Sequence, residues 1–178
     1  NLRRVLTSPV ALTGLGMCLM LSTANEMINL VFGAWMEISF GLKIAALGAA
    51  SALIGFAELG GEGLTAMITD RIGKARAVAA GTILNCLAAL ALPFLGSSLV
   101  GAFIGLFLFY LTFEFAIVSS IPLMTEVFPP ARATLMASNQ AAHMLGRALG
   151  ALVTAPLFAL GQASASTPDI LPSALAST

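Results

Sequence analysis

Five long apolar stretches constrain this chain more than any other feature of its sequence. They run over residues 9–32, 42–69, 75–95, 98–123 and 131–160. Each has at least the roughly 20 mostly apolar residues that a helix needs to cross the hydrocarbon core of a bilayer. Ser8 and Pro9 suit the N-cap and first turn of the first stretch. The last three stretches each have a proline near their end, at Pro93, Pro122 and Pro156. The sequence therefore predicts an all-α membrane protein, a polytopic bundle of five transmembrane helices.

Composition excludes several classes of function. Hydrophobic residues make up 58% of the chain and charged residues only 9%, whereas soluble domains carry roughly 25% charged residues. Lipid must therefore cover much of the surface. Lys and Arg together number 8, as do Asp and Glu, and a nucleic-acid surface would need a basic excess. No Cys/His metal spacing, cofactor loop or catalytic motif is present, so we expect no nucleic-acid partner, no cofactor, no metal and no enzyme.

The positive charges predict the topology. Because the connections are short, we expect consecutive helices to be antiparallel neighbours. Six cations then fall on one side of the membrane, and only Lys43 on the other; the six are Arg3, Arg4, Arg71, Lys74, Arg76 and Arg132. Cytoplasmic loops carry such an excess, so we expect a cytoplasmic N-terminus. Residues 161–178 are small, polar and broken by proline, and form either a non-cytoplasmic tail or the start of a truncated sixth helix.

The first stretch contains polar side chains, one of them ionisable. Inserting an ionisable group at the centre of a spanning helix costs about 2.5–3.5 kcal/mol, so such a residue usually has a partner or a function. Ser22, Glu26 and Asn29 are spaced i, i+4 and i+7, which places them on one helical face. They either form a hydrogen-bonded contact with another helix or line a pathway.

The fifth stretch carries a second polar stripe. Asn139, His143 and Arg147 are spaced i, i+4 and i+8. Arginine stays protonated in proteins, so Arg147 needs an anion or a water-filled vestibule. Its role is either contact with a substrate or counter-ion, or a structural ion pair.

Several carboxylates are available to this stripe. Glu114 lies in the middle of the fourth stretch with Tyr110 one turn earlier, and Glu58 and Glu62 are paired i, i+4 on the second. With Glu26 they give four acids against one fixed base. Buried carboxylates without partners tend to take up protons. Such an excess suits a proton-coupled transporter, but a bundle of hydrogen-bonded, protonated glutamates would show it too.

The second and third stretches are joined by a short charged segment, residues 66–76, with the sequence A-M-I-T-D-R-I-G-K-A-R. Gly73 allows a left-handed or otherwise tight backbone there. The segment resembles the loop signature of the major facilitator superfamily of transporters, Gly-x-x-x-Asp-Arg-x-Gly followed by basic residues. Four residues match the signature: Asp70, Arg71, Gly73 and Lys74. Ala66 replaces the first glycine, and Ala75 interrupts the basic run before Arg76.

A second segment strengthens the resemblance. The sequence T-E-V-F-P-P-A-R is similar to the loop between the fourth and fifth helices of a half of such a transporter, through Glu126, Pro129 and Arg132. Together the two segments resemble the C-terminal half of the superfamily fold, with five of its six helices present. The pattern is most similar to bacterial efflux members for drugs and metabolites.

The resemblance implies secondary active transport of a small organic solute by alternating access, coupled to protons. It implies a bacterial inner membrane, a lipid bilayer around the helices and the N-terminal half of the same transporter as a partner. Asp70 and Arg71 would then form charge-pair latches of a cytoplasmic gate with Glu126 and Arg132, unless these charges only fix topology. The pathway residues we expect are Glu26, Asn29, Glu114, Asn139, His143 and Arg147. The alternative is a membrane scaffold or degenerate paralogue that transports nothing.

Overall fold

The computed structural model describes residues 2–166, and nearly all of them lie in helices. The helices are α1 (Leu2–Thr7), α2 (Pro9–Phe40), α3 (Ile44–Ile72), α4 (Lys74–Leu95), α5 (Leu99–Val127) and α6 (Arg132–Ser166), with a 3-10 turn at Pro129–Ala131. Five of these segments are long and apolar enough to cross a membrane. The predicted all-α fold class is confirmed, and the apolar helices suggest an integral membrane protein.

The helix ends follow local signals, although some lie beyond the predicted limits. The Ser8 hydroxyl accepts a hydrogen bond from the Ala11 amide, and Pro9 occupies the first turn of α2, as predicted. α2 continues eight residues past Phe32 and stops at Gly41, whose φ of 66° is a left-handed cap. Gly73 separates α3 from α4 with a φ of 91°, a conformation open to glycine.

The prolines near the expected ends lie inside the helices. Pro93 is followed by two more residues of α4, and Pro122 by five more of α5. α6 continues past Pro156 to Ser166, and so includes the first residues of the predicted tail. The rest of that tail, residues 167–178, lies outside the described residues.

Contacts between helices fix their relative directions. Residues 18, 22 and 26 of α2 face residues 139, 143 and 147 of α6, and because positions rise together the two helices are parallel. By contrast, Gly14 and Asn29 of α2 lie beside Met124 and Tyr110 of α5, so these two helices are antiparallel. Chain direction therefore alternates from α2 to α6.

The expectation that consecutive helices are packing neighbours is wrong for most of the bundle. The most extensive contacts are α2 with α6, α3 with α5 and α4 with α5, whereas α2 barely touches α3. Glycine explains these pairings, because it lets backbones approach closely. A Cβ on Gly150 of α6 would lie 2.7 Å from the Thr23 carbonyl oxygen of α2. A Cβ on Gly81 of α4 would lie 2.9 Å from the Ala116 Cα of α5.

Alternating directions bring the six cations identified above to one end of the bundle, hereafter the cationic end, with Lys43 at the other. An apolar cluster including Leu15, Met124 and Leu135 closes the cationic end. A second cluster, including Met36 and Phe109, fills the other end. Along α2 and α5, polar and ionisable residues lie between these clusters.

Candidate functional site

A cavity of about 370 Å³ lies between α2, α3, α5 and α6. It is lined by polar and apolar side chains from all four helices: Cys18, Asn25, Glu58, Phe113, Glu114, Ile117, Val118, Ile121, Met136, Asn139, Gln140, His143 and Arg147. We call it the polar cavity. Ile121 and Gln140 are exposed to solvent in this structure, so one side of the cavity is open.

Three contacts between α2 and α6 form one wall of the cavity. The Cys18 thiol lies 3.7 Å from the Asn139 carbonyl oxygen. One turn further, the Ser22 hydroxyl oxygen lies 2.6 Å from Nδ1 of His143. Ser22 of the first polar stripe predicted from the sequence therefore faces His143 of the second stripe across the interface between α2 and α6.

The third contact is an ion pair. Nε of Arg147 donates to Oε2 of Glu26 at 2.8 Å. The Glu26 side chain is only 10% exposed, whereas that of Arg147 is 45% exposed and lines the cavity. Glu26 thus compensates the Arg147 charge from within the interface, while part of the guanidinium remains on the cavity surface.

The Ser22 hydroxyl oxygen lies 2.7 Å from the Cys18 carbonyl oxygen and 2.6 Å from Nδ1 of His143, and its single proton serves one of these two contacts. When the hydroxyl donates to Cys18, Nδ1 of His143 donates to the Ser22 oxygen, and Nε2 of the neutral imidazole is a hydrogen-bond acceptor.

Two carboxylates face the cavity from the opposite wall. Glu58 lies on α3 and Glu114 on α5, and close packing at Gly61, where a Cβ would lie 2.7 Å from the Glu114 Cβ, joins these two helices. Within residues 2–166, neither carboxylate has a Lys, Arg or His nitrogen within 4.0 Å. Both are therefore uncompensated by ion pairs in the described part of the chain.

Two amide side chains on the cavity wall have unused bonding capacity. Oδ1 of Asn139 and Oδ1 of Asn25 are buried, and neither has a hydrogen-bond partner among the described residues. Asn139 as a whole is only 8% exposed. Buried polar atoms are nearly always partnered, so each of these amide oxygens can accept one further hydrogen bond, from water or from a ligand.

Five of the six predicted pathway residues lie at the polar cavity or directly behind its wall, and one does not. Glu114, Asn139, His143 and Arg147 line the cavity, and Glu26 lies behind Arg147. Asn29 lies elsewhere: it is exposed, and its Oδ1 accepts a 3.4 Å hydrogen bond from the buried Tyr110 hydroxyl.

Sequence reasoning missed the apolar part of the lining, namely Phe113, Ile117, Val118, Ile121 and Met136. A signal for it was available. Ile117, Val118 and Ile121 follow Glu114 at i+3, i+4 and i+7, so they share its helical face. Glu58, which the sequence analysis counted among the four acids but not among the pathway residues, also belongs to the lining.

The predicted gate residues gather at the cationic end. Lys74, at the start of α4, forms a salt bridge with Glu126, near the end of α5. Nε of Arg132 donates to the Thr125 carbonyl oxygen at 2.8 Å. Asp70 and Arg71 take part in neither of the two salt bridges found within residues 2–166. Glu126 therefore pairs with a different residue of the charged segment than expected.

Comparison with protein families, with curated proteins and with solved structures finds no match for this chain.

Proposed function

We propose that this chain is part of a secondary active transporter of the major facilitator type, which moves a small organic solute across the bacterial inner membrane by alternating access coupled to protons. The observation that carries the proposal is the polar cavity, where four helices of apolar sequence bring ionisable side chains together around about 370 Å³ of space. Small-molecule sites typically occupy about 300–1,000 Å³ and combine apolar walls with a few polar groups.

The cost of burying charge supports a transport role. Ionisable residues in apolar helices are rare, and usually mark substrate or ion pathways. Glu58 and Glu114 lack cationic partners in the described residues, so helix packing alone gives no reason to keep them. Carboxylates facing a cavity are also suited to taking up and releasing protons during a cycle.

The cationic end supplies a candidate gate. The Lys74–Glu126 ion pair joins the first turn of α4 to the last turn of α5, and both side chains are partly exposed. Exposed ion pairs contribute little to stability, about 0–1 kcal/mol, so this contact can open and close at small cost. In the proposed orientation this end faces the cytoplasm, and the N-terminal half of the transporter covers the open side of the cavity.

Solute-dependent proton movement tests the proposal. The full-length protein would be reconstituted into liposomes that contain a pH-sensitive dye, and small organic cations, anions and neutral solutes would be added in turn under a pH gradient. We expect at least one class to move protons, and Glu114→Gln to abolish that movement without loss of folded protein. Glu62→Gln is the matched control, because Glu62 is exposed and outside the cavity lining. Folded protein that moves no protons with any class would overturn the proposal.

A second candidate is a membrane scaffold that transports nothing. The glycine contacts of α6 with α2 and the Ser22–His143 hydrogen bond favour it, since both hold helices together. Gln140→Cys, in a protein with Cys18 and Cys86 replaced by alanine, separates the two candidates. Alternating access predicts labelling by a membrane-impermeant thiol reagent from either side, depending on the gradient, whereas a scaffold predicts labelling from one side at most.

A further inference from the structure

We infer that the polar cavity binds an amine, an organic cation that carries N–H donors beside an apolar group. This inference rests on the proposed transport function, since it names the class of solute that the cavity accepts. Charge balance, hydrogen-bonding capacity and the position of the apolar wall support it separately.

Charge balance favours a cation. The lining contains one guanidinium, that of Arg147, and its charge is compensated by Glu26 at 2.8 Å. Glu58 and Glu114 remain without a cationic partner in the described residues. An anionic ligand would reach only the part of the Arg147 guanidinium that Glu26 leaves free, and it would lie near two carboxylates. A cation is attracted by both carboxylates.

Hydrogen-bonding capacity favours a ligand with donors. Besides the two carboxylates, the wall offers Nε2 of His143, which accepts a hydrogen bond in the tautomer whose Nδ1 donates to Ser22. The two carboxylates are the strongest acceptors in the lining, and no cation of the described residues pairs with either of them. An ammonium group, with up to three N–H donors, matches them.

The apolar wall lies to one side of these acceptors. On α5, Ile117 and Ile121 follow Glu114 toward the cationic end, and on α6, Met136 precedes Asn139 in the same direction. Glu58 and Arg147 lie farther from that end. A ligand with its ammonium between the carboxylates would therefore place an apolar group against Ile117, Ile121 and Met136.

Three probes that share a phenylethyl group test the inference. The full-length protein in lipid nanodiscs would be titrated at neutral pH by calorimetry with 2-phenylethylamine, 3-phenylpropanoate and 2-phenylethanol, and heats from empty nanodiscs would be subtracted. These probes share a phenyl group and differ in carrying an ammonium, a carboxylate or a hydroxyl. We expect saturable binding of the amine at least about tenfold tighter than that of the alcohol, and weakest binding of the carboxylate.

Two variants locate the binding. Glu58→Gln combined with Glu114→Gln should remove the preference for the amine over the alcohol, while binding of the alcohol to the unchanged apolar wall reports that the cavity is still folded. Glu62→Gln should leave the preference intact. If the double variant does not fold, the wild-type order of the three probes still decides the question.

Three results would overturn the inference: tighter binding of the carboxylate, equal binding of amine and alcohol, or no saturable binding of the amine. Its failure is distinguishable from failure of the transport proposal. Proton movement driven by an anionic solute would contradict the amine and support transport. Amine binding without any solute-dependent proton movement would support the amine and contradict transport.

Discussion

Two of the helix interfaces among the described residues, α4 with α5 and α2 with α6, bury polar side chains in different ways. Between α4 and α5, the amide of Asn85 donates to the Phe109 carbonyl oxygen at 2.9 Å and to the Thr112 hydroxyl at 3.3 Å. Between α2 and α6, an imidazole and an ion pair border an open cavity. Asn85 is 3% exposed and absent from the cavity lining.

The two interfaces differ in how much bonding capacity their polar side chains leave unused. At the α4–α5 interface, the neighbouring helix uses the donors of the buried amide. At the α2–α6 interface, His143 and Arg147 bond to α2 with one nitrogen each and still line the cavity. Unused bonding capacity facing a cavity, rather than polarity alone, therefore indicates function.

The largest effect should come from removing the Arg147 side chain. Arg147→Ala leaves Glu26, only 10% exposed, without its counter-ion. Breaking a buried ion pair from one side costs about 3–5 kcal/mol; because Arg147 is 45% exposed, we expect a loss near 2–3 kcal/mol. Unfolding in mixed micelles titrated with denaturing detergent measures this loss.

The matched control removes both charges. Glu26→Gln combined with Arg147→Gln should regain most of the lost stability, because no uncompensated charge remains. If the free energy of unfolding of Arg147→Ala instead lies within about 0.5 kcal/mol of the wild-type value, the ion pair does not stabilise the fold. The α2–α6 interface would then differ from the α4–α5 interface even more than we expect.

The next effect concerns glycine in the two interfaces. Gly150→Leu would push a side chain against the Thr23 carbonyl oxygen and Glu26 Cβ of α2, 2.7 and 2.8 Å from the added Cβ. We expect about 1–3 kcal/mol of destabilisation and loss of solute-dependent proton movement, since the cavity wall shifts. The same unfolding titration and the liposome assay measure these two effects.

Two other glycines serve as controls. Gly81→Leu, facing Ala116 across the α4–α5 interface, should destabilise as much, yet the folded fraction should keep its proton movement. Gly48→Leu, with no atom within 4 Å of an added Cβ, should be neutral or slightly stabilising. Loss of proton movement in folded Gly81→Leu protein would contradict the separation of the two interfaces.

Sequence periodicity predicted the helices and the polar faces well, because both depend on local spacing. Length and apolar content were enough for the five long helices, and Asn139, His143 and Arg147 share a face in any α-helix. The extension of α2 was missed because its end is set by the local cap rather than by the length that a membrane span requires, and the helix continues through a mostly apolar segment until Gly41.

Contacts between residues of different helices could not be predicted from the sequence. Glu26 and Arg147 are 121 residues apart, and their meeting depends on the parallel packing of α2 with α6. Gly146 and Gly150 are four residues apart, a spacing that favours close approach to another helix but does not say which one. Because the sequence does not show which helices pack together, Glu26 was counted as an unpaired acid. For the same reason, the apolar residues that line the cavity could not be identified.

The smallest effect should come from Asn85, and it tests the comparison most directly. Asn85→Ala removes two hydrogen bonds. Hydrogen bonds between helices in a membrane contribute about 0.6 kcal/mol on average, and the Phe109 carbonyl oxygen keeps its intrahelical partner in α5. We therefore expect a loss of about 1 kcal/mol in the unfolding titration and unchanged proton movement. If Asn85→Ala kept full stability but lost proton movement, an amide with all its donors used, outside the cavity, would still act in transport. Unused hydrogen-bonding capacity would then not distinguish a functional interface from a structural one.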